Sequence, residues 1–225
     1  MTRRWFVTGT DTEVGKTVAS SALLQAANQA GYRTAGYKPV ASGCDVTPEG
    51  IRNGDALSLQ ANSSVRLDYH AVNPVAFVEP TSPHIVSAAQ RRPIRLAELS
   101  AGLQALAAQA DWLLVEGAGG WLTPLSERET FADWVAREQL PVILVVGIKL
   151  GCINHALLTA CAVRQAGLTL SGWIANDIMP PGKRHQEYLS SLRQRLSAPM
   201  LGEIPHLADP LSRNLGQYVD LTRLA

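Results

Sequence analysis

Arg4-Trp5-Phe6-Val7-Thr8-Gly9-Thr10-Asp11-Thr12-Glu13-Val14-Gly15-Lys16-Thr17 joins an apolar run to a glycine-bounded polar loop and a Gly-Lys-Thr tripeptide. The residues that follow, Val18, Ala19, Ala22, Leu23 and Ala26, recur at helical spacing, so the stretch reads as strand, loop and helix. A loop of this kind binds phosphate. Its backbone N–H groups point inward at phosphate oxygens and the helix start presents the positive end of its dipole; the lysine reaches the β and γ phosphates and the threonine hydroxyl holds Mg2+. Lys16 and Thr17 stand in those two positions, and Gly9 and Gly15 let the backbone close on the anion without a Cβ in the way. Five residues separate the two glycines, against four in the common pattern. The strand-loop-helix context carries the assignment that the spacing alone leaves weak.

At 225 residues, 46% of them hydrophobic, the chain can bury a sizeable core and falls within the range of a single domain, expected to span residues 1–225. Twenty basic residues against nineteen acidic leave a net charge of +1, so no global field favours nucleic acid or an anionic membrane. Any phosphate affinity is therefore local. Cys44, Cys152 and Cys161 form no Cys-x-x-Cys pair and are odd in number, which argues against a disulfide framework and a structural zinc site. No apolar run approaches the length of a membrane span, and removing the first strand as a signal would destroy the phosphate loop, so a cytoplasmic protein is expected.

Beyond the first helix and a stop at Gly31, Thr34-Ala35-Gly36-Tyr37-Lys38-Pro39-Val40 reads as a second strand. Ligands of open α/β sheets bind at the C-terminal ends of strands, which makes Lys38 either an active-site cation or an ordinary surface lysine. Residues 41–54 are rich in turn formers and are expected as a loop over that edge. Asp55 precedes the periodic Ala56-Leu57-Ser58-Leu59-Gln60 and reads as a helix N-cap, as a metal-facing carboxylate, or as both. Pro74, Pro80 and Pro83 exclude a regular interior helix from residues 73–84 and give a second constrained loop, with His84 as a capping or loop residue. Leu96, Leu99, Leu103 and Leu106 mark an amphipathic helix between about Ile94 and Ala110.

Asp111-Trp112-Leu113-Leu114-Val115-Glu116-Gly117-Ala118-Gly119-Gly120 suits a buried parallel strand with an acid at its end and glycines that leave room for a ligand. Glu116 is the candidate second carboxylate for Mg2+, directly or through water, because hard divalent ions take oxygen ligands; a strand-end glutamate in solvent is the plainer alternative. Residues 139–147 and 168–175 are further buried strands. Between them, residues 147–155 lead into a helix whose exposed N–H groups would hold a carboxylate as readily as a phosphate, although a plain strand-to-helix turn is the simpler reading. Asn176-Asp177 either meets a purine edge or makes a turn. The five tryptophans read as core and interface packing, and residues 205–225 lack a basic membrane-seeking pattern. Repeated strand-helix units after the phosphate loop imply an α/β fold of P-loop NTPase type, a mainly parallel sheet with helices on both faces.

Four stretches together resemble one family, the dethiobiotin synthetases. They are the lengthened phosphate loop 9–17, the lysine loop Gly36-Tyr37-Lys38-Pro39-Val40-Ala41-Ser42-Gly43, the acidic strand end Val115-Glu116-Gly117-Ala118-Gly119-Gly120, and the helix start Gly151-Cys152-Ile153-Asn154-His155-Ala156. The resemblance covers essentially the whole chain. It implies that 7,8-diaminononanoate takes up CO2 as a carbamate, that ATP phosphorylates the carbamate, and that the second amine closes a cyclic urea. It assigns Lys16 and Lys38 to the phosphates and carbamate, and Thr17, Asp55 and Glu116 to Mg2+. ATP would be lined by Thr12, Glu13, Val14, Gly15, Lys16 and Thr17, by Glu116, Gly117, Ala118 and Gly119, and at adenine by Asn176, Asp177, Pro205, His206 and Leu207. Ser42 would meet the carbamate. The resemblance also implies a homodimer in which Gly151, Cys152, Ile153 and Asn154, with Tyr188, hold the substrate carboxylate from the partner subunit. Two rivals are a related ligase acting on another carboxylate and a partition-type ATP switch, against which Asp11 stands where such switches carry a second lysine.

Overall fold

In the computed structural model, which describes residues 2–224, six strands form one sheet in which every neighbouring pair runs parallel. In chain order the strands are β1 (Arg3–Gly9), β2 (Thr34–Tyr37), β3 (Val40–Ala41), β4 (Asp45–Thr47), β5 (Gly50–Arg52), β6 (Val75–Ala76), β7 (Trp112–Gly120), β8 (Val142–Gly147), β9 (Leu170–Asn176) and β10 (Met200–Ile204). The helices are α1 (Lys16–Gln29), α2 (Gly54–Asn62), α3 (Tyr69–Val72), α4 (Pro83–Ala89), α5 (Leu96–Ala107), α6 (Phe131–Glu138), α7 (Cys152–Gln165) and α8 (His185–Arg195). The large sheet has the order β10-β9-β8-β1-β7-β2. The chain thus leaves β1 for one side, returns to insert β7 beside it, and crosses to the other side for β8. That reversal around β1 opens a crevice at the C-terminal ends of the strands, where ligands of such sheets bind.

The central strand β8 is continuously apolar and buried because the sheet is covered on both faces. On β8, Ile143 and Val145 pack into the larger core cluster, whereas Leu144 and Val146 pack with Trp173, Ala175, Ala156, Ala160, Leu189 and Leu192 into a second one under α7 and α8. Alternation along a strand sends successive side chains to opposite faces, so a run without polar residues is what a doubly covered strand requires. The helix expected near residues 94–110 forms as α5, its Leu99 and Leu103 fully buried. Burying side chains of this size contributes roughly 1.5–3 kcal/mol each, enough to fix the helix on the sheet. Trp112, Trp134 and Trp173 are core residues, as expected.

Three local expectations are corrected. The second strand stops at Tyr37, before the Lys38-Pro39 pair, and Val40–Ala41 instead pairs in parallel with Val75–Ala76. Residues 41–54 are not wholly loop, since β4 and β5 form an antiparallel hairpin within them. Asp55 is not the cap of α2: Asn53 is, its side chain accepting from the Ala56 N–H at 3.2 Å, and Asp55 lies one residue inside the helix. Pro83 starts α4 at its first turn, where a missing N–H costs nothing, and His84 follows it. Short 3-10 turns at 210–212, 216–218 and 221–223 close the chain; Gln25 of α1 ties them down by accepting from the Leu215 and Gly216 N–H groups at 2.6 and 3.1 Å. Among the described residues no helix is long and apolar enough to cross a membrane.

Candidate active site

The loop between β1 and α1 is held in shape from outside itself. Val14 is fully buried beneath it, and the Asn176 amide at the end of β9 donates to the Val14 carbonyl at 3.0 Å. Gly15 caps α1 with φ +85°, in the left-handed region, and a Cβ there would run into the Asn176 carboxamide. The first turn of α1 carries no acidic residue to offset its dipole, so its free N–H groups face the crevice as an anion site. Lys16 folds back over the loop, donating to the Asp11 carbonyl at 3.3 Å. Burial, and after it the nearby charge of Lys38, hold the Lys16 ammonium below the ordinary lysine value.

Lys38, at the end of β2, is the centre of the site. Its Nζ donates to Asp55 Oδ2 at 2.8 Å, to Glu116 Oε1 at 2.7 Å and to the Gly117 carbonyl at 3.1 Å, which uses all three ammonium protons. Lys38 is 2% exposed and Glu116 0%, while the Asp55 side chain keeps 44% of its surface open to the crevice. Burial works against charge on both Lys38 and Asp55, yet attraction wins. Glu116 and Asp55 hold the Lys38 ammonium above the ordinary lysine value, and Lys38 holds the Asp55 carboxyl below the ordinary carboxylate value. A buried ionic cluster of this kind is rarely the most stabilising way to fill a core, since its desolvation cost can exceed its Coulombic gain. Charge kept in such a place is available for use on a ligand.

The arrangement also suits a hard divalent ion. Thr17 Oγ1 donates to Glu116 Oε1 at 3.1 Å, Asp55 shares the Lys38 ammonium with Glu116, and Glu116 Oε2 is buried with no hydrogen-bond partner among the described residues. A hydroxyl and two carboxylates, one of them with an orphaned oxygen, form the kind of donor set that Mg2+ prefers, with water completing its shell. Glu116 is not a strand-end residue in solvent, because β7 runs on through the glycines to Gly120 and leaves Glu116 inside the sheet beside Val7.

A cavity of about 360 Å³ is lined by Thr12, Glu13, Gly15, Lys16, Thr17, Lys38, Ser42, Asp55, Ala118 and Gly119, with Ala41 and Asn53. A second, of about 560 Å³, shares Thr12, Glu13, Ser42, Ala118 and Gly119 with it and continues along Pro80, Thr81, Ser82, Pro83 and Thr123. The sequence-read residues of the phosphate loop, the lysine loop and β7 therefore converge. Asn176 meets the loop directly, and the Asp177 N–H donates to the Ile204 carbonyl at 2.9 Å, which brings Pro205, His206 and Leu207 to the same end of the sheet. Burial pushes the Asp177 carboxyl up, and His185 stands between it, at 3.6 Å, and Glu203, at 2.9 Å. Gly151, Cys152, Ile153, Asn154 and Tyr188 line neither cavity of their own chain. Residues 80–83 read in sequence as part of a constrained loop and not as cavity residues, and the Lys149–Asp11 pair at 3.5 Å had no sequence signal.

A sequence model of an AAA domain matches residues 3–212. Over the full length of both proteins the chain is 68% identical to the ATP-dependent dethiobiotin synthetase of Escherichia coli K12, and 68% identical to that of Serratia marcescens. The chain belongs to the dethiobiotin synthetase family. A Yersinia pestis relative of the same name is 63% identical, covering all of this chain and 96% of its own. Among solved structures, a ParA family ATPase from Chlorobium tepidum aligns over 99% of this chain and 92% of its own at 15% identity, with a TM-score of 0.55. The MinC:MinD complex of Aquifex aeolicus contributes a chain that aligns over 96% of this one and 85% of its own at 15% identity, with a TM-score of 0.58. At that identity they share the fold alone: this chain has the mainly parallel, P-loop NTPase-like scaffold of these ATPases.

Proposed function

We propose that the chain binds ATP and Mg2+ across the crevice and makes dethiobiotin from 7,8-diaminononanoate and CO2. One amine adds to CO2, losing a proton to give a carbamate. A carbamate oxygen takes the γ-phosphoryl group and ADP leaves. The second amine then attacks the activated carbonyl, expels phosphate and closes the five-membered urea. No nucleophilic side chain is required, and the chemistry depends on positioning and charge stabilisation.

The observation that carries this reading is the buried Lys38 ammonium, held between two carboxylates at the floor of a cavity that Lys16 also lines. A carbamate and a triphosphate repel each other, and the two lysines are the cations placed to lie between them. Lys16 and the N–H groups of residues 12–17 take the phosphates, Ser42 orients the carbamate, and Lys38 bridges the two anions as they react. Thr17, Asp55 and Glu116 would hold Mg2+, which when bound supplies further neutralisation of phosphate charge. Gly117, Ala118 and Gly119 bound the nucleotide from β7, and Asn176, Asp177 and residues 205–207 take the purine. The protein acts as a homodimer in which Gly151, Cys152, Ile153, Asn154 and Tyr188 receive the substrate carboxylate bound to the partner subunit. Their distance from their own cavities and the exposed Leu150 and Leu158 beside them, 89% and 61% accessible, support that reading. Its free thiols suit the reducing cytoplasm.

The test is incubation with labelled bicarbonate, ATP, Mg2+ and 7,8-diaminononanoate. Label is expected in a cyclic urea, one ADP per ring closed. ATP turnover without labelled urea would end the assignment of substrate.

A further inference from the structure

Both backbone hydrogen-bonding groups of Lys38 terminate in one short segment, residues 69–73. The Lys38 N–H donates to the Val72 carbonyl at 2.8 Å, and the Lys38 carbonyl accepts from Asn73 Nδ2 at 2.6 Å. Asn73 is itself held: its Oδ1 accepts from the Tyr69 hydroxyl at 3.0 Å, and that hydroxyl accepts from the Asn53 N–H at 2.7 Å. Asn53 is the cap of α2, the helix that carries Asp55 in its first turn. The Arg52 guanidinium lies 4.3 Å from the centre of the Tyr69 ring and fixes its plane. Asn53 and Asn73 are both buried and Tyr69 is partly so, and the Asn73–Lys38 bond at the end of the relay is fully buried.

We infer that Tyr69 and Asn73 are positioning residues for the Lys38–Asp55 pair, joining the backbone that aims the lysine to the helix cap that aims the carboxylate. The inference rests on the role proposed above for Lys38. Before reaction the ammonium is located by its own three hydrogen bonds. When it turns from Asp55 and Glu116 toward the reacting anions those bonds are exchanged, and the backbone on either side of it must carry the alignment. Neither Tyr69 nor Asn73 lines the cavity that Lys38 faces; both line a separate one of about 440 Å³, which sets them behind Lys38 rather than beside a ligand in the crevice. Misplacing a catalytic group by about 1 Å is enough to cost on the order of 100-fold in rate. Losing one hydroxyl of the relay should loosen the pair by less than that.

The experiment compares Tyr69→Phe and Asn73→Ser with wild type in the labelled-bicarbonate assay, per folded protein as judged by thermal melting. Each variant is expected to lose about tenfold in kcat, with KM for ATP and for the diamine within twofold, as for an interaction needed in the transition state. In a Lys38→Met background Tyr69→Phe is expected to cause no further loss, since it acts through that lysine. Wild-type kcat in both variants, a loss confined to KM, or an undiminished tenfold loss in the Lys38→Met background would overturn the relay while leaving the substrate assignment intact. A wild type that forms no labelled urea would overturn both together, so the two failures are told apart.

Discussion

Around the C-terminal ends of β1 and β2, Lys16, Lys38 and Asp55 line one cavity, and Glu116, buried inside the sheet on β7, pairs with Lys38 beneath it. Where β9 and β10 end, the sheet presents the neutral Asn176 amide and an Asp177 carboxyl that burial pushes toward its uncharged form. In the function proposed above, the first region carries the desolvation cost of ions because reacting anions are held there. In that same function the second takes a purine by shape and a few hydrogen bonds and has no developing charge to stabilise. Chemistry and affinity should therefore separate along the edge of the sheet.

The sharpest way to break that division is Lys38→Met. It should cost about 3–4 kcal/mol of transition-state stabilisation, the scale of losing one key electrostatic donor, and appear in kcat with ATP binding largely kept. The measurement must be made per folded protein, because stripping the fully buried Glu116 of its cation itself costs about 3–5 kcal/mol in stability. Turnover near wild type would remove Lys38 from the mechanism. Asn176→Ala should have the opposite signature. It deletes the clamp on the Val14 carbonyl and, with it, the proposed purine contact, worth about 1–3 kcal/mol together, and should raise KM for ATP with kcat at saturation little changed. A pure kcat defect would dissolve the comparison.

The smallest effect is a proton. Lys16 has a depressed pKa in the free protein because of burial and Lys38, and a triphosphate beside it restores the higher value. Between the two values ATP binding must take up protons, and affinity must fall as pH rises through the free-protein pKa toward the ordinary 10.5. Calorimetry at alkaline pH in two buffers of different ionisation enthalpy should give different apparent heats; identical heats would mean that Lys16 does not gain a proton on binding.

The charged region was the more legible one in sequence. A strand, a glycine-bounded loop and Gly-Lys-Thr are contiguous, and the apolar run ending at Glu116 needs only the rule about strand ends in open sheets to place it. Asp55 was ambiguous because an aspartate before an apolar run looks like a cap, and the true cap, Asn53, lies two residues earlier behind a hairpin of polar residues with weak strand signal. The relay through Tyr69 and Asn73 was illegible for a different reason. It joins residues 16 and 35 positions apart, and nothing local to either marks a hydrogen bond that only the packed chain creates. The same holds for the strand order, in which β7 enters between β1 and β2 long after both have been made.

The central claim is that Lys38 changes partners, leaving its carboxylates to bridge two anions. A crystal structure with diaminononanoate, CO2, Mg2+ and a non-hydrolysable ATP analogue tests it most directly. Lys38 Nζ is expected at hydrogen-bond distance, about 3 Å, from both a carbamate oxygen and a γ-phosphate oxygen. An ammonium still locked between Asp55 and Glu116, with carbamate and phosphate brought together elsewhere, would contradict it.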